Sequence, residues 1–343
     1  MKLSWFDYQL PTRLIAQQPI NPRDHSRLLI LDKKTGQLFH RHFYDLPKIL
    51  KPGDVLVLNN SKVFPARLIG YKPQTNGKVE IFLLKKLKNN LWQCLAKGSG
   101  LKPDALINFK QNKKNILQAK LTKNYPDGTW VVSFDKTAKN FLNLLEQIGQ
   151  APLPPYIKKK TSLSRYQTTY AKITGSVAAP TAGLHFTPAL LKKLKTHGVQ
   201  LEFITLHVGL GTFRPLKTAE LNQHQLHLEY ASLDQATAQR LNIAKKNGQR
   251  IIAVGTTTVR TLETFSTPTG HLKPQTAWIN TFIYPPYNFK FITALITNFH
   301  LPKSTLLILV SALVGRKKIL QAYQTAINRG YRFFSFGDAM FIH

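Results

Sequence analysis

The sequence predicts a large α/β domain that carries an inserted all-β, barrel-like subdomain. Three observations predict it. From about Val55 to Phe134, short β-type runs are separated by turn signals, and no helix signal appears until Thr137–Ile148. From Ala151 onward, strand and helix patterns alternate. A proline-rich seam at 152–155 parts the two textures. Short strands at ~8–12-residue spacing are the pattern of a barrel or sandwich. Alternating strands and helices are the pattern of an α/β sheet. The predicted domains are therefore residues 1–54 and 151–343, a discontinuous α/β catalytic domain, and 55–150, the inserted barrel.

Each element has a local reason. In the insertion the expected strands are Val55–Leu58, Ala66–Tyr71, Val79–Leu84, Leu91–Ala96, Ala105–Phe109, Ile116–Leu121 and Thr129–Phe134. Turns at Pro52-Gly53, Asn76-Gly77, Gly98–Gly100 and Pro126–Gly128 part them. In the larger domain Thr187-Pro188 opens a helix: a threonine N-cap, proline at the first helical position, and Gly198 as the stop. Val199–Leu206 is a strand. Ser232–Gln235 reads as a capping box whose helix ends near Gly248. Arg250–Gly255 is a strand feeding a helix from about Thr257. Ala277–Ile283 and Phe291–Thr297 are strands, and helices follow at about Ser304–Val314 and Lys317–Asn328.

The charge balance is extreme. The 343 residues hold 48 Lys and Arg against 16 Asp and Glu, a formal net charge of +32. Such an excess predicts a polyanionic partner, and nucleic acid is the first candidate. A generally basic proteome or a membrane-surface protein is the plainer alternative. Lys85, Lys86, Lys88, Lys110, Lys113 and Lys114 crowd the turns of the insertion, where they hold a phosphate backbone or simply face water. With Cys94 the only cysteine, neither an internal disulfide nor a cysteine-based zinc site can form, which fits a reducing compartment. The N-terminus has no basic stretch followed by an apolar signal core. The most apolar run, Thr305–Val314, is about half the ~20 residues a membrane span needs. The expectation is a soluble, cytoplasmic protein with no membrane contact.

Chemistry concentrates in two strings rich in glycine and histidine, 175–186 and 205–215. Small residues let a backbone approach a ligand closely, and histidine exchanges protons near neutral pH. His185, His207 and His300 sit in similar polar turns. Each alone is more often structural, but the repetition points to function. Gly209, Gly211, Thr212 and Phe213 suit a flat ring such as adenine lying against backbone. Thr256, Thr257 and Arg260 follow a strand ending in Gly255, a strand–glycine–helix turn whose first N–H groups point outward toward an anion or polar ligand. An ordinary capped helix start reads equally from the same residues. No Gly-Lys-Thr follows, so the turn is not a Walker loop. His224 and His227 have helical ligand spacing, but they precede a strand and no cysteine completes a site, so no metal is predicted. Carboxylates are scarce after Ser176; Glu229, beside His224 and His227, and Asp338, in the turn 336–338, are the best candidates for acid–base work.

Taken together, the strings also carry a resemblance. They run from Phe6–Pro11, Ile15–Pro19, Pro22–Leu28, Pro52–Val57, Asn59–Val63 and Pro65–Leu68, through Pro152–Ile157 and Arg165–Thr168. They continue with the strings 175–187 and 205–215, Val254–Thr257, Ile296–Pro302 and Phe334–Met340. Their order and spacing resemble the S-adenosylmethionine:tRNA ribosyltransferase-isomerase family of queuosine biosynthesis, over essentially the whole chain. The resemblance implies a large α/β domain with an inserted β-barrel. It implies transfer and isomerisation of the ribosyl group of S-adenosyl-L-methionine, as co-substrate, onto 7-aminomethyl-7-deazaguanine at the tRNA wobble position, with adenine and methionine released. On that chemistry His185, His207 and His300 would serve three proton transfers in one pocket, with Glu229 as an alternative base. Gly209, Gly211, Thr212 and Phe213 would cradle adenosine. Thr256, Thr257 and Arg260 would hold the methionine carboxylate. Arg23, Arg27, Arg67 and the lysine loops would meet tRNA phosphates, and the expected state is a monomer.

Some positions depart from the family pattern. Leu210 replaces an expected alanine, Phe336 an expected tyrosine, Thr293 an expected aspartate and Pro286 an expected glycine. Ser162 and Ser164 stand where acids are usual. None is one of the three histidines, while a hydroxyl role at 336 is excluded. Two rival readings remain: an S-adenosylmethionine-dependent RNA methyltransferase, and a non-catalytic RNA-binding protein for which the charge alone suffices.

Overall fold

The computed structural model describes residues 1–88, 90–136, 138–159, 161–209 and 219–343. In chain order the elements begin with β1 (Arg27–Leu31), β2 (Leu38–His42), α1 (Leu46–Ile49), β3 (Val55–Asn59) and β4 (Ser61–Val63). Next come β5 (Arg67–Tyr71), β6 (Lys78–Lys88), β7 (Leu91–Lys97), β8 (Leu106–Gln111), β9 (Lys114–Asn124), β10 (Trp130–Phe134) and α2 (Ala138–Ile148). The remainder is β11 (Ile173–Ser176), α3 (Pro188–Thr196), β12 (Gln200–Leu206), β13 (Glu229–Leu233), α4 (Gln235–Lys246), β14 (Ile251–Val254), α5 (Thr256–Phe265), β15 (Gln275–Ile279), β16 (Ala294–Asn298), α6 (Thr305–Val314), α7 (Arg316–Asn328) and β17 (Ala339–Ile342). Two compact units result: Met1–Lys62 with Pro155–Lys160 and Gln167–His343, and Val63–Pro154 with Thr161–Tyr166.

The larger unit is built on a mixed sheet of strand order β15-β13-β12-β3-β14-β16-β17-β1-β2. Its centre, β12, β3, β14 and β16, is parallel. The period-two alternation of strand side chains explains the two cores. Leu29, Leu31, Val55, Val57, Ile251 and Ala253 face one core with α4, α5, α6 and α7. Leu28, Ile30, Leu56, Leu58, Ile252 and Val254 face the other, with Phe43 and α3. Helices on both faces of a mixed sheet with a parallel centre are the α/β architecture.

Here two expectations are corrected. Val55–Leu58 was assigned to the inserted domain, yet β3 pairs with β12 and β14 in the middle of the large sheet. Its five positions are all buried, the run expected of a strand covered on both faces. The capping box at Ser232 is not used either. Ser232 lies in β13 and bonds Thr276, while Asp234 caps α4 by accepting from the Thr237 amide at 2.8 Å.

By contrast, the cap on α3 forms as read: Thr187 Oγ1 accepts from the Leu190 amide at 3.1 Å, with Pro188 in the first turn. Thr187 Oγ1 also donates to Asp24 at 2.7 Å. Thr187→Ala is expected to cost about 1 kcal/mol of stability, the usual worth of an N-cap, measured by urea denaturation.

The smaller unit closes β10-β7-β6-β5-β8-β9 into a barrel. Closure leaves no unpaired strand edge. Barrel strands alternate, as β9 does along its length, so Leu117, Ala119 and Leu121 point inward with Ile107, Phe109 and Val132. Phe141 from α2 meets Phe134 and Trp92, with ring centroids 4.5 and 5.7 Å apart. Cys94 is buried here; burial pushes its thiol up to about 12, so it stays protonated and unreactive.

Candidate active site

The parallel strands of the large sheet deliver their carboxyl ends to one edge. Ligands of open α/β sheets bind outside that edge. Asn59 ends β3, Leu206 ends β12 with His207 next in the chain, Gly255 follows β14, and Asn298 ends β16. The string 175–186 is laid across the same edge. Val177 donates its amide to the Val208 carbonyl at 3.1 Å, and Ser176 Oγ accepts from the Val208 amide at 2.8 Å. Ala182 approaches Gly255, and His185 reaches Asn298. The first string thus meets the described part of the second, 205–209, at one edge, although 18 residues separate the two strings in the chain.

His207 is half-buried. Its Nδ1 lies 2.7 Å from Ser61 Oγ, and its ring stacks on Tyr230 at 5.2 Å with 16° between planes. Burial holds its pKa below the ordinary histidine value, so the ring is neutral at neutral pH. No partner meets Nε2 among the described residues. A Cβ on Gly175 would fall 2.4 Å from Nε2 and 2.6 Å from both adjoining carbons. Those near-equal distances place the Gly175 backbone over the ring face. Only glycine allows this approach. Gly175→Ala is therefore expected to displace the imidazole, read as a shift of the His207 ring signals in NMR.

His185 and His300 are different. Both are almost wholly buried. His185 Nδ1 meets Ser26 Oγ at 2.7 Å, and Nε2 meets Asn298 Nδ2 at 3.1 Å. The same Asn298 amide donates to the Phe334 carbonyl, which fixes its orientation and makes His185 Nε2 an acceptor. His185 therefore carries its proton on Nδ1. Burial, with Arg332 and Arg23 adding cationic repulsion, pulls its pKa down to about 3. His300 Nε2 meets Thr297 Oγ1 at 3.0 Å, its amide donates to the Tyr323 hydroxyl at 3.0 Å, and its carbonyl accepts from Tyr8. Burial sets its pKa at about 3 as well. β3 and β14 lie between β12 and β16. Three strand spacings, roughly 14 Å, therefore part His207 from the strand that carries Asn298 and leads to His300. The three imidazoles line one edge without touching.

The acids are also engaged. Glu229 and Arg260 are buried together as an ion pair, and Glu229 Oε1 accepts from the Gly209 amide at 2.9 Å. They line a recess with His227, Phe282, Thr305 and Leu309. The pair joins two residues that the sequence assigned to separate tasks. It holds Glu229 as an anchor for Gly209, and Arg260 as its counter-ion. Asp338 accepts from the Arg27 amide at 3.0 Å and the Arg332 amide at 2.8 Å, tying β1 to the turn before β17. Thr256 and Thr257 open α5, which has no side-chain cap and follows Gly255 at φ 88°, a conformation that favours glycine. Asn59 Nδ2 donates to Thr257 Oγ1 at 3.4 Å and to the Leu206 carbonyl at 2.9 Å.

Gly211, Thr212 and Phe213 lie outside the described residues. The three arginines expected on phosphates each have an internal partner. Arg23 donates to the Gln167 carbonyl, Arg27 donates to the Arg329 carbonyl and covers the Tyr331 ring at 3.7 Å, and Arg67 pairs with Glu80 at 2.7 Å. The lysines at 85, 86, 88, 110, 113 and 114 are exposed. Ser26, Ser61, Tyr230, Asn298 and Arg332 were missed as site residues. Ser26, Ser61 and Asn298 had a signal, through the strings Pro22–Leu28, Asn59–Val63 and Ile296–Pro302. Among the described residues no group of three or more His, Cys, Asp or Glu side chains could hold a metal ion. No helix among them is long and apolar enough to cross a membrane.

Comparison with known proteins agrees with this layout. The family model described as "Queuosine biosynthesis protein" matches residues 3–342. The chain is 51% identical to an S-adenosylmethionine:tRNA ribosyltransferase-isomerase of Moorella thermoacetica, over the whole of both chains. It is equally 51% identical to one from Natranaerobius thermophilus, covering 100% of this chain and 99% of the relative. Among solved structures it is similar to the S-adenosylmethionine tRNA ribosyltransferase of Thermotoga maritima, with 38% identity, 99% and 100% of the chains covered, and a TM-score of 0.56. Full-length identity at this level, together with the glycine-and-histidine edge, decides the matter: the chain belongs to the queuosine biosynthesis protein family.

Proposed function

We propose that this chain is an S-adenosylmethionine:tRNA ribosyltransferase-isomerase. It transfers and isomerises the ribosyl moiety of S-adenosylmethionine onto 7-aminomethyl-7-deazaguanine in the anticodon wobble position, giving epoxyqueuosine and releasing adenine and methionine. The observation that carries this reading is the full-length identity to relatives bearing that name. The residues at the carboxyl edge of the sheet support this reading.

The sulfonium acidifies the neighbouring ribose carbon, so a neutral base has to stand beside it. His207 is the best placed imidazole, because burial keeps it neutral and its Nε2 edge meets no partner among the described residues. His185 and His300 resist protonation and are therefore poor proton carriers in this geometry. They fit roles in shaping the edge. The uncapped start of α5, at Thr256 and Thr257, fits a carboxylate such as that of methionine. Gly209, anchored by Glu229, leads into the string assigned to adenosine. The exposed lysines of the barrel fit an RNA backbone. The wobble base has to leave its stack to reach the edge, as bases do for other modifying enzymes.

The test is direct. The protein is incubated with tRNA carrying the precursor base and with S-adenosylmethionine, and the products are identified by mass spectrometry. Adenine, methionine and the epoxyqueuosine nucleoside are expected. S-Adenosylhomocysteine in their place would make the chain a methyltransferase, and no turnover of either kind would leave an RNA-binding protein.

A further inference from the structure

We infer that Ser61 is a positioning residue that lets His207 both take and return a proton. The inference rests on the assignment of His207 as base and adds a second residue to it. Ser61 opens β4 and is fully buried, with Oγ 2.7 Å from His207 Nδ1. Its own amide is held by Asn59 Oδ1 at 3.0 Å, and the same oxygen accepts from the Leu206 amide, so β3 and β12 fix both partners.

The chemistry lies in what a hydroxyl can do. A carboxylate or a carbonyl only accepts, so it locks the proton of a histidine on the nitrogen it faces. His185 is locked in a comparable way, because the Asn298 amide can only donate to its Nε2. A serine hydroxyl donates and accepts equally well. With Nδ1–H facing Ser61 Oγ, the lone pair on Nε2 is available as a base. The ring then accepts a proton at Nε2: a C–H or N–H bond of the substrate breaks, its electron pair stays on the substrate atom, and the ring becomes a cation still bonded to Ser61. Return of the proton from Nε2 to the departing adenine restores the starting state. If instead the cation keeps the substrate proton on Nε2 and loses its Nδ1 proton to water, Ser61 turns its own hydrogen to Nδ1 and the neutral ring presents Nε2–H. Tyr230 stacking and the Gly175 backbone hold the ring plane throughout. Ser61 meets either tautomer by rotating its hydroxyl hydrogen, with no movement of heavy atoms.

Ser61→Ala and Ser61→Thr, made in the full chain, test this. Alanine removes the partner; threonine keeps the hydroxyl. For Ser61→Ala, kcat is expected to fall roughly 10- to 100-fold, less than the ~10²–10⁴ an acid–base group itself contributes. KM for tRNA and for S-adenosylmethionine should stay unchanged, the acid limb of the pH profile should move, and Ser61→Thr should restore most of the rate. Imidazole nitrogen NMR of His207 gives a reading independent of turnover: both neutral tautomers in the wild type, one in Ser61→Ala. An unmoved pH profile with unmoved tautomer signals would overturn the inference. If the wild type itself releases no adenine and methionine, the proposed activity fails, and the NMR comparison still decides the role of Ser61.

Discussion

Glu229→Ala is expected to lower the free energy of unfolding by about 3–5 kcal/mol, the cost of leaving one member of a buried ion pair without its partner. The Glu229 and Arg260 side chains are only 4% and 5% exposed, so water cannot replace the lost charge. The substitution also removes the acceptor for the Gly209 amide. Arg260→Ala should cost a similar amount from the other side. Replacing both at once, as Glu229→Gln with Arg260→Met, should cost markedly less than the two single changes together, because no charge is stranded. Urea denaturation of the three variants measures this. Singles as stable as the wild type would show that the pair is hydrated in solution.

A second large effect is expected in acid. Between pH 6 and pH 4 the chain should lose about 5 kcal/mol of stability through His185 and His300 together. Both rings have their pKa pulled from the ordinary 6.5 to about 3, by burial first and, for His185, by Arg332 and Arg23 as well. The unfolded chain binds protons at these rings below pH 6.5, and the folded chain does not until about pH 3. Stability is therefore full above pH 6.5 and falls as pH drops through that window, by up to about 1.4 kcal/mol per ring per unit. Denaturation midpoints along a pH series report it. A His300→Gln variant, lacking one titrating ring, should show a shallower decline; an identical slope would show that His300 is not a source of the effect.

The sequence revealed the elements whose reasons are local. The Thr187 cap, Pro188 and the Gly198 stop sit within a dozen residues, and the α3 helix runs between them. The alternating barrel strands declared themselves through turns, as did the small-residue strings that meet at the carboxyl edge. What failed depended on partners far along the chain. β3 reads as one more short strand until it is seen buried between β12 and β14, which pair with it from some 145 and 196 residues away. Asp234 won over Ser232 as cap because β13 continues to Leu233 to pair with β15. No spacing rule joins Glu229 to Arg260, or Ser61 to His207. Histidine identity alone could not separate the half-buried His207 from the enclosed His185 and His300, since burial is set by the fold.

The place of β17 has a consequence for how the protein is made. This strand, Ala339–Ile342, lies between β16 and β1, and it alone joins the β1–β2 hairpin to the rest of the sheet. At ribosomal speeds of about 5–20 residues per second, β1 emerges roughly 15–60 seconds before its parallel neighbour exists. During that interval the apolar run Leu28–Leu31 has a nascent chain and no sheet to join. Until β17 is made, the β1–β2 hairpin stays outside the large sheet, so this flank of the sheet closes only after β17 has been synthesised.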